Sequence, residues 1–301
     1  MNVDLAGIPI AILGGDRREL ELAKTLLDLG ADLRLVGFPP HPNLNSAKFL
    51  SDAETAVSGV KVVIAPMANT DSEGHIFTRL DQREPIDLTV ILPKLTKDTL
   101  VLIGVAKPVI AELAHQQGLK LIETAEIDEI AILNSIPTAE GALQLAMEEM
   151  PITIHGSRCL VTGFGRCGKT LAASLAALGA DVAAADRNKA QLARAVTMGL
   201  TPIPLADLHR YTDFDVIFNT VPALILTADY LKKLDSKTLI IDLAAAPGGV
   251  DFSAAEEFGI KAILALSLPG KVAPITAGKI LSDCIPRLLQ EMLEGGGGNA
   301  V

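Results

Sequence analysis

Short apolar runs alternate with helical patterns along almost the whole chain. Ile8 to Leu13 is an apolar run that passes into Gly14-Gly15-Asp16-Arg17-Arg18; a helical period follows from about Glu19 to Leu29, and a second apolar run fills Leu33 to Val36. That succession predicts strand, turn, helix and parallel strand. Apolar runs at Val60 to Ala65, Leu88 to Leu92 and Leu100 to Ile103 predict three more strands with helices between them. Residues 38–51, with Pro39, Pro40 and Pro42, and residues 69–85 carry no period and read as irregular. The segments Pro66 to Thr70 and Pro93-Lys94 follow strand ends, the side of an open parallel sheet where ligands sit.

The pattern restarts after a connector. Leu160-Val161-Thr162 runs into Gly163-Phe164-Gly165-Arg166-Cys167-Gly168, then a helical pattern from Leu171 to Leu178, the stop Gly179, the apolar run Val182 to Ala185, and Asp186. Strands predicted at Asp215 to Asn219, Thr238 to Leu243 and Lys261 to Leu266 end in the loops 219–223, 244–249 and 267–274, rich in Pro and Gly. A stripe of Ile280, Leu281, Ile285, Leu288 and Leu289 marks a last helix, about Ala277 to Leu293. In the connector, Pro137 bars helix at Ile136, so Ser135 or Thr138 is expected to cap a helix through Ala142 to Glu149.

The three glycines 163, 165 and 168 are spaced G-x-G-x-x-G between a predicted strand and helix. The first allows the tight turn, the second lets backbone approach a pyrophosphate and the third permits close helix–strand packing. The expected fold class is therefore α/β, with two Rossmann-like doubly wound parallel-sheet domains and a cleft between them. Residues 1–133 form the first domain, 134–150 a connecting helix and 151–276 the dinucleotide-binding domain. Helix 277–294 is expected to return to the first domain, and the glycine-rich tail 295–301 to be disordered.

Sliding the sequence by 149 positions (163 − 14) lays Gly14 on Gly163 and Leu29-Gly30-Ala31-Asp32 on Leu178-Gly179-Ala180-Asp181 without a gap. The copies differ where a dinucleotide matters. Asp16 stands for Gly165, Glu19 for Gly168 and Gly37 for Asp186. Two carboxylates at a phosphate turn repel a pyrophosphate, so only the second copy is expected to bind one. Arg17 and Arg18 are then either free to meet another anion or ordinary solvated charges at a helix start.

Composition narrows the partners. Of 301 residues, 49% are hydrophobic and only 3% aromatic, with no Trp, which suits buried parallel sheets packed with aliphatic side chains. A net charge of −10 opposes binding to nucleic acid or to an anionic membrane. Cys159, Cys167 and Cys284 form no C-x-x-C pair, and His41, His75, His115, His155 and His209 lack ligand spacing, so neither a disulfide framework nor a metal is expected. With no basic stretch leading a long apolar core near Met1 and no 18-residue apolar run, a soluble, unexported protein is expected.

The candidate cofactor residues follow from position. Gly163, Phe164, Gly165, Arg166, Cys167 and Gly168 surround the pyrophosphate, and Asn219, Thr220, Val221, Pro222, Leu243, Ala244 and Leu268 line the nicotinamide side. At the ribose the residues pull in opposite directions. Asp186 suits the 2′-hydroxyl of NAD, whereas Arg187 with Asn188 suits the 2′-phosphate of NADP. Either a capped helix start at Asn134, Ser135 and Thr138 receives a carboxylate, or it is an ordinary linker; Lys271 is either a cation at the site or simply exposed.

Several segments carry a more specific likeness. Gly14-Gly15-Asp16 with Arg18 and Leu20-Glu21, Asn134 to Thr138 with Glu140-Gly141, Thr153 to Ser157, Gly163 to Gly168, Asn219-Thr220 with Pro222, Pro247-Gly248-Gly249 with Asp251-Phe252, and Leu268-Pro269-Gly270 with Val272-Ala273-Pro274 and Thr276-Ala277-Gly278 resemble the dipicolinate synthase A-subunit family of spore-forming bacteria. The resemblance implies oxidation of dihydrodipicolinate, a small cyclic dicarboxylate, to dipicolinate with NADP. It further implies a partner, the flavoprotein-like B subunit, with action in the cytoplasm of the sporulating mother cell. The implied fold is that of formate/glycerate and alanine dehydrogenases, with the active site in the cleft, and a homo-oligomer is expected. Arg18, Asn134, Ser135 and Thr138 are the candidate carboxylate holders, with Lys271 as a further clamp or proton carrier. The competing readings are another cleft dehydrogenase of an amino or hydroxy acid, and a non-catalytic NAD(P)-binding partner of the B subunit.

Overall fold

The computed structural model describes residues 3–68, 70–81 and 84–294, and divides the chain into two units: Met1–Ala131 with Pro274–Val301, and Ile132–Ala273. In the first unit the strands are β1 (Pro9–Leu13), β2 (Asp32–Val36), β3 (Lys48–Leu50), β4 (Val62–Ile64), the short antiparallel pair β5 (His75–Ile76) and β6 (Ile86–Asp87), β7 (Leu100–Ile103) and β8 (Lys120–Glu123). Its helices are α1 (Arg17–Asp28), α2 (Ala53–Val57), α3 (Leu88–Ile91) and α4 (Pro108–Gln117). Six strands make one parallel sheet in the order β3-β2-β1-β4-β7-β8. Central β1 is covered on both faces, so Ile10, Ala11, Ile12 and Leu13 are all fully buried, which is why it reads as an unbroken apolar run.

A long helix, α5 (Asp128–Glu149), leads into the second unit, which contains β9 (Arg158–Thr162), α6 (Arg166–Ala177), β10 (Asp181–Asp186), α7 (Lys189–Thr197), β11 (Thr201–Pro204), β12 (Val216–Asn219), α8 (Ala228–Leu231), β13 (Leu239–Asp242), α9 (Phe252–Glu257), β14 (Ala262–Leu264) and α10 (Leu268–Val272). Its parallel sheet runs β11-β10-β9-β12-β13-β14. When only the strands of the parallel sheet are counted, each sheet has the order 3-2-1-4-5-6 of doubly wound dinucleotide-binding folds. The repeat is faithful to the residue: adding 149 to the bounds of β1 and α1 gives those of β9 and α6. Gly30 and Gly179 close the two helices with the same left-handed φ of +85°. The expected α/β class with two doubly wound parallel sheets is what the chain forms.

Several local expectations fail. Leu88 to Leu92 is not a strand but α3 followed by a 3-10 turn, because the Asp87 carboxylate caps the Thr89 N–H at 2.8 Å and takes the Thr89 hydroxyl at 2.6 Å. Pro137 does not stop a helix either; α5 passes through it. On either side of the proline, side chains bond the carbonyls of the preceding turn: the Ser135 hydroxyl donates to the Ile132 carbonyl (2.6 Å) and the Thr138 hydroxyl to the Asn134 carbonyl (2.8 Å). Residues 267–274 are largely helical, with Pro269 in the first turn of α10. The irregular reading of 38–51 misses β3, and β8 is not among the expected strands; both lie at sheet edges. The tail 295–301 and Asn69 lie outside the described residues.

The last helix, α11 (Pro274–Glu294), packs on α1 within the first unit. Gly278 permits the approach: a Cβ there would stand 2.7 Å from Glu21 Cβ and 3.0 Å from the Arg18 carbonyl. Gly278→Ala should therefore destabilise, because overpacking costs about 1–3 kcal/mol and exceeds the gain of about 1 kcal/mol in helix propensity. The expected result is a melting temperature lowered by a few degrees in a thermal scan; a rise would show that the two helices part without cost.

Candidate functional site

In the second unit the strand-to-helix turn is open. Gly163 donates its N–H to the Ala185 carbonyl (2.8 Å) with φ +83°, and a Cβ on it would meet Thr220 Oγ1 at 2.4 Å. Gly168 lies so close beneath the turn that its Cβ would fall 1.8 Å from the Gly163 carbonyl oxygen. Gly165 is different. Its φ is −83°, which other residues adopt, and a Cβ there would meet nothing within 4 Å. No side chain caps α6. Beside this turn lies a cavity of about 520 Å³ lined by Gly163, Gly165, Arg166, Cys167, Ala185, Asp186, Arg187, Leu205, Thr220, Val221, Pro222, Ala223 and Ile225.

The same turn in the first unit is filled. Asp16, in the place of Gly165, caps α1 by accepting the Arg18 N–H (3.0 Å), while Glu19 Oε2 accepts the Asp16 N–H (2.8 Å) and Oε1 the Met67 N–H (2.9 Å). The Glu19 side chain covers Gly15, whose Cβ would lie 2.6 Å from Glu19 Oε2. Above it, Gly14 and Gly37 are closed over by Ile76 and Thr78, from the β5 strand and its continuation. The guanidinium of Arg18 grips Asp16 with both arms, Nε to Oδ1 at 3.0 Å and Nη2 to Oδ2 at 2.8 Å. Burial opposes the charge on Asp16, yet the hydrogen bond and charge of Arg18 hold its carboxyl below the usual carboxylate range. Burial wins at Glu19 and pushes its carboxyl up against the pull of Arg18. Of the two acids, Asp16 keeps its charge more firmly.

A buried polar network stiffens one wall of the open cavity. Thr162, Asn219 and Asp242, at the ends of β9, β12 and β13, are fully buried. The Thr162 hydroxyl donates to Asn219 Oδ1 (2.7 Å), and Asn219 Nδ2 donates to Asp242 Oδ1 (2.7 Å) and to the Val221 carbonyl (3.0 Å). Asp242 also accepts the Ala244 and Gly249 N–H groups, and the Thr220 hydroxyl donates to the Thr162 and Gly163 carbonyls. Asp242 is not among the sequence candidates; its only signal is an acid ending the apolar run Leu239 to Ile241.

The other candidates are placed as follows. Arg166, Cys167, Arg187, Val221 and Pro222 line the cavity with the open glycines; Phe164 is buried behind the turn and Asn188 caps α7 through the Ala190 N–H. Burial raises the Cys167 thiol above its usual range, and Cys159 and Cys284 are each pushed up to about 11, so none is an activated thiolate. Leu268 and Ala244 are buried, Leu268 against Gly141 of α5 in the core of the unit. Lys271 is exposed on the last turn of α10.

Two candidate carboxylate holders need correction. Asn134, Ser135 and Thr138 are not at a helix start but in the interior of α5, whose first turn is at Asp128 and Glu129, so no end-of-helix N–H groups are presented there. Ser135 is fully buried and shares a 2.6 Å hydrogen bond with Thr170 of α6. Arg18 is not a free cation either: only 4% exposed, it is committed to Asp16. Arg17 next to it in sequence is exposed.

A doubly wound unit with an open, uncapped glycine turn, in one chain with a second unit whose matching turn is closed, defines an oxidoreductase fold of the two-unit dehydrogenase type. Residues 137–248 match the family model described as the D-isomer specific 2-hydroxyacid dehydrogenase NAD binding domain, and residues 9–125 match that of the N-terminal domain of the dipicolinate synthase A subunit. Over 291 residues the chain is 40% identical to the A subunit of dipicolinate synthase from Bacillus subtilis (strain 168), covering 96% of this chain and 98% of that protein. Crystal structures of dipicolinate synthase A chains from Bacillus halodurans and Bacillus subtilis match with TM-scores of 0.90 and 0.89 and identities of 38% and 39%, covering 95% and 98% of this chain and 99% and 100% of theirs. The chain belongs to the dipicolinate synthase A-subunit family. Among the described residues no helix is long and apolar enough to cross a membrane.

Removing Arg18 leaves a buried carboxylate without its partner. Arg18→Met should cost about 3–5 kcal/mol in urea unfolding at pH 7. The folded pKa of Asp16 is depressed, so its contribution is present above the unfolded value of about 3.9 and is lost as pH falls through the folded value. In the variant Asp16 can relieve the penalty by taking up a proton, so the gap to the wild type should narrow between pH 7 and pH 4. A gap that stays constant would show that Arg18 acts by packing alone.

Proposed function

We propose that this chain oxidises dihydrodipicolinate to dipicolinate, using a nicotinamide dinucleotide bound in the cavity beside the glycine turn of the second unit. The observation that carries the reading is the contrast at equivalent positions 165 and 16. Asp16 shows that a side chain is compatible with the backbone there, with φ −133° and ψ −155° against −83° and −149° for Gly165. Glycine at 165 is therefore explained by what must occupy the space outside it, and a pyrophosphate at the start of α6 is what that space suits. The match to an NAD-binding family model and the 40% identity to a dipicolinate synthase of Bacillus subtilis support the same reading.

The bound dinucleotide would supply the two-electron acceptor. The overall change would remove a hydride and a proton from the dihydropyridine ring, leaving an aromatic pyridine dicarboxylate, with the hydride going to that acceptor and the proton to solvent or a base. Because aromatisation favours product, the protein's task is chiefly to orient the reactants and exclude competing water. Gly163, Gly165 and the first turn of α6 would hold the pyrophosphate. Thr220, Val221 and Pro222 line the cavity and would form the wall on the nicotinamide side, with the Thr162–Asn219–Asp242 network behind them. The A-subunit designation of the relatives implies a companion, so the active form is taken to include a B subunit, in the mother-cell cytoplasm of a sporulating bacterium.

Two experiments test this. Gly165→Ala should fold with a melting temperature within a few degrees of wild type yet bind dinucleotide at least tenfold more weakly by calorimetry; unchanged binding would remove the pyrophosphate from this turn. Purified chain, with and without its companion, should convert dihydrodipicolinate with growth of nicotinamide absorbance. Tight dinucleotide binding without hydride transfer, even with the companion present, would instead favour a non-catalytic partner.

A further inference from the structure

We infer that Asp242, fully buried and so out of a ligand's reach, is a positioning residue for the nicotinamide end of the cavity: its carboxylate holds the wall segment 220–225 at both ends. The inference rests on reading the cavity as a dinucleotide site and deepens it.

Thr162, Asn219 and Asp242 are partners in register across β9, β12 and β13, so their side chains form one row at the ends of three neighbouring strands. All three are fully buried, where apolar side chains would carry no desolvation cost. The position 149 before Thr162 (162 − 149 = 13) is Leu13, part of an apolar core cluster of the first unit. A polar residue at this place thus belongs to the copy with the open turn.

The row works as a clasp. Asn219 Oδ1 accepts the Thr162 hydroxyl (2.7 Å) and the Val221 N–H (3.1 Å), while its Nδ2 donates to the Val221 carbonyl (3.0 Å) and to Asp242 Oδ1 (2.7 Å). One amide grips both polar backbone groups of Val221, and Asp242 fixes which way round that amide stands. At the other end, Asp242 Oδ2 accepts the Gly249 N–H (2.7 Å), and the Gly249 carbonyl accepts the N–H groups of Ile225 and Leu226 (3.0 Å each). Gly249 lies so close to the segment that a Cβ on it would stand 2.5 Å from the Val221 carbonyl oxygen and 2.8 Å from that of Ala223. The segment so held supplies Thr220, Val221, Pro222, Ala223 and Ile225 to the cavity.

This role needs a carboxylate. Three donors meet at Asp242, from Asn219 and Ala244 on one oxygen and from Gly249 on the other. The amide of Asp242→Asn has nearly the same shape but would set its own NH2 against a donor whichever way it turned, so one of the two grips opens.

The test uses calorimetry on the full chain with two ligands: the reduced dinucleotide that the wild type binds more tightly, NADH or NADPH, and its fragment without nicotinamide, ADP-ribose or ADP-ribose 2′-phosphate. Asp242→Asn should bind the whole dinucleotide about tenfold more weakly, the effect of one buried donor left unsatisfied, and the fragment within about twofold of wild type. Thr162→Val removes one donor to Asn219 and leaves Asp242 in place; it should shift the same ratio by about threefold, and it decides the matter if Asp242→Asn does not fold. Equal losses for dinucleotide and fragment, or no loss for either, in a folded variant would overturn the positioning role, because a residue that only stabilises the unit does not tell the two ligands apart. A wild type that binds neither ligand would instead overturn the dinucleotide reading beneath it.

Discussion

The first N–H groups of any helix have no partner within it, and this chain meets that constraint twice, in opposite ways, at the same place in the same fold. After β1, the capping box of Asp16 and Glu19 satisfies the start of α1 from inside the protein. After β9, no side chain caps α6, and a cavity lies outside the turn. Strand, helix and glycine stop agree to the residue between the copies, so the difference between a closed turn and an open one lies in Asp16 against Gly165 and Glu19 against Gly168, with Ile76 and Thr78 closing over Gly14 and Gly37 in the first unit alone.

Closing the first turn has its own energetic consequences. Two acids at a buried helix start would be unfavourable unless compensated, and the chain places Arg18 where it can grip Asp16 with two bonds while Glu19 is held by the backbone of Asp16 and Met67. A group that looks on paper like an anion-binding arginine is thereby absorbed into the structure. The first unit keeps the sheet order of a nucleotide fold while its phosphate turn is occupied by its own side chains.

Legibility in the sequence follows the range of the forces involved. The two turns, the helix stops and the offset of 149 are local signals, set by glycine conformation and short-range periodicity, and they survive folding unchanged. Pro137 shows the limit. Its local preference argues against helix at Ile136, but Ser135 bonded to Thr170 and Gly141 packed against Leu268 hold α5 against its unit through the proline. Leu88 to Leu92 misleads because a five-residue apolar run fits a buried strand or a buried helix equally, and the deciding cap comes from the residue before it. Arg18 misleads because whether a charge is solvated or paired depends on burial, which no residue pattern displays. Asp242 is silent in the sequence for the same reason: its three donors come from Asn219, Ala244 and Gly249 and meet only in the fold.

The same considerations apply to the cavity beside the open glycine turn. The glycines contribute shape, and the walls are held by groups that satisfy one another: Thr162 with Asn219, Asn219 with Asp242, Phe164 and Asn188 with Asp186. In such a site the side chains available to a ligand are those with capacity left after the structure has been satisfied. Thr220 is already donating to the Thr162 and Gly163 carbonyls, so its hydroxyl can offer a ligand only acceptor capacity. Asp186 accepts the Phe164 and Asn188 N–H groups, one on each oxygen, and keeps further lone pairs for a ligand.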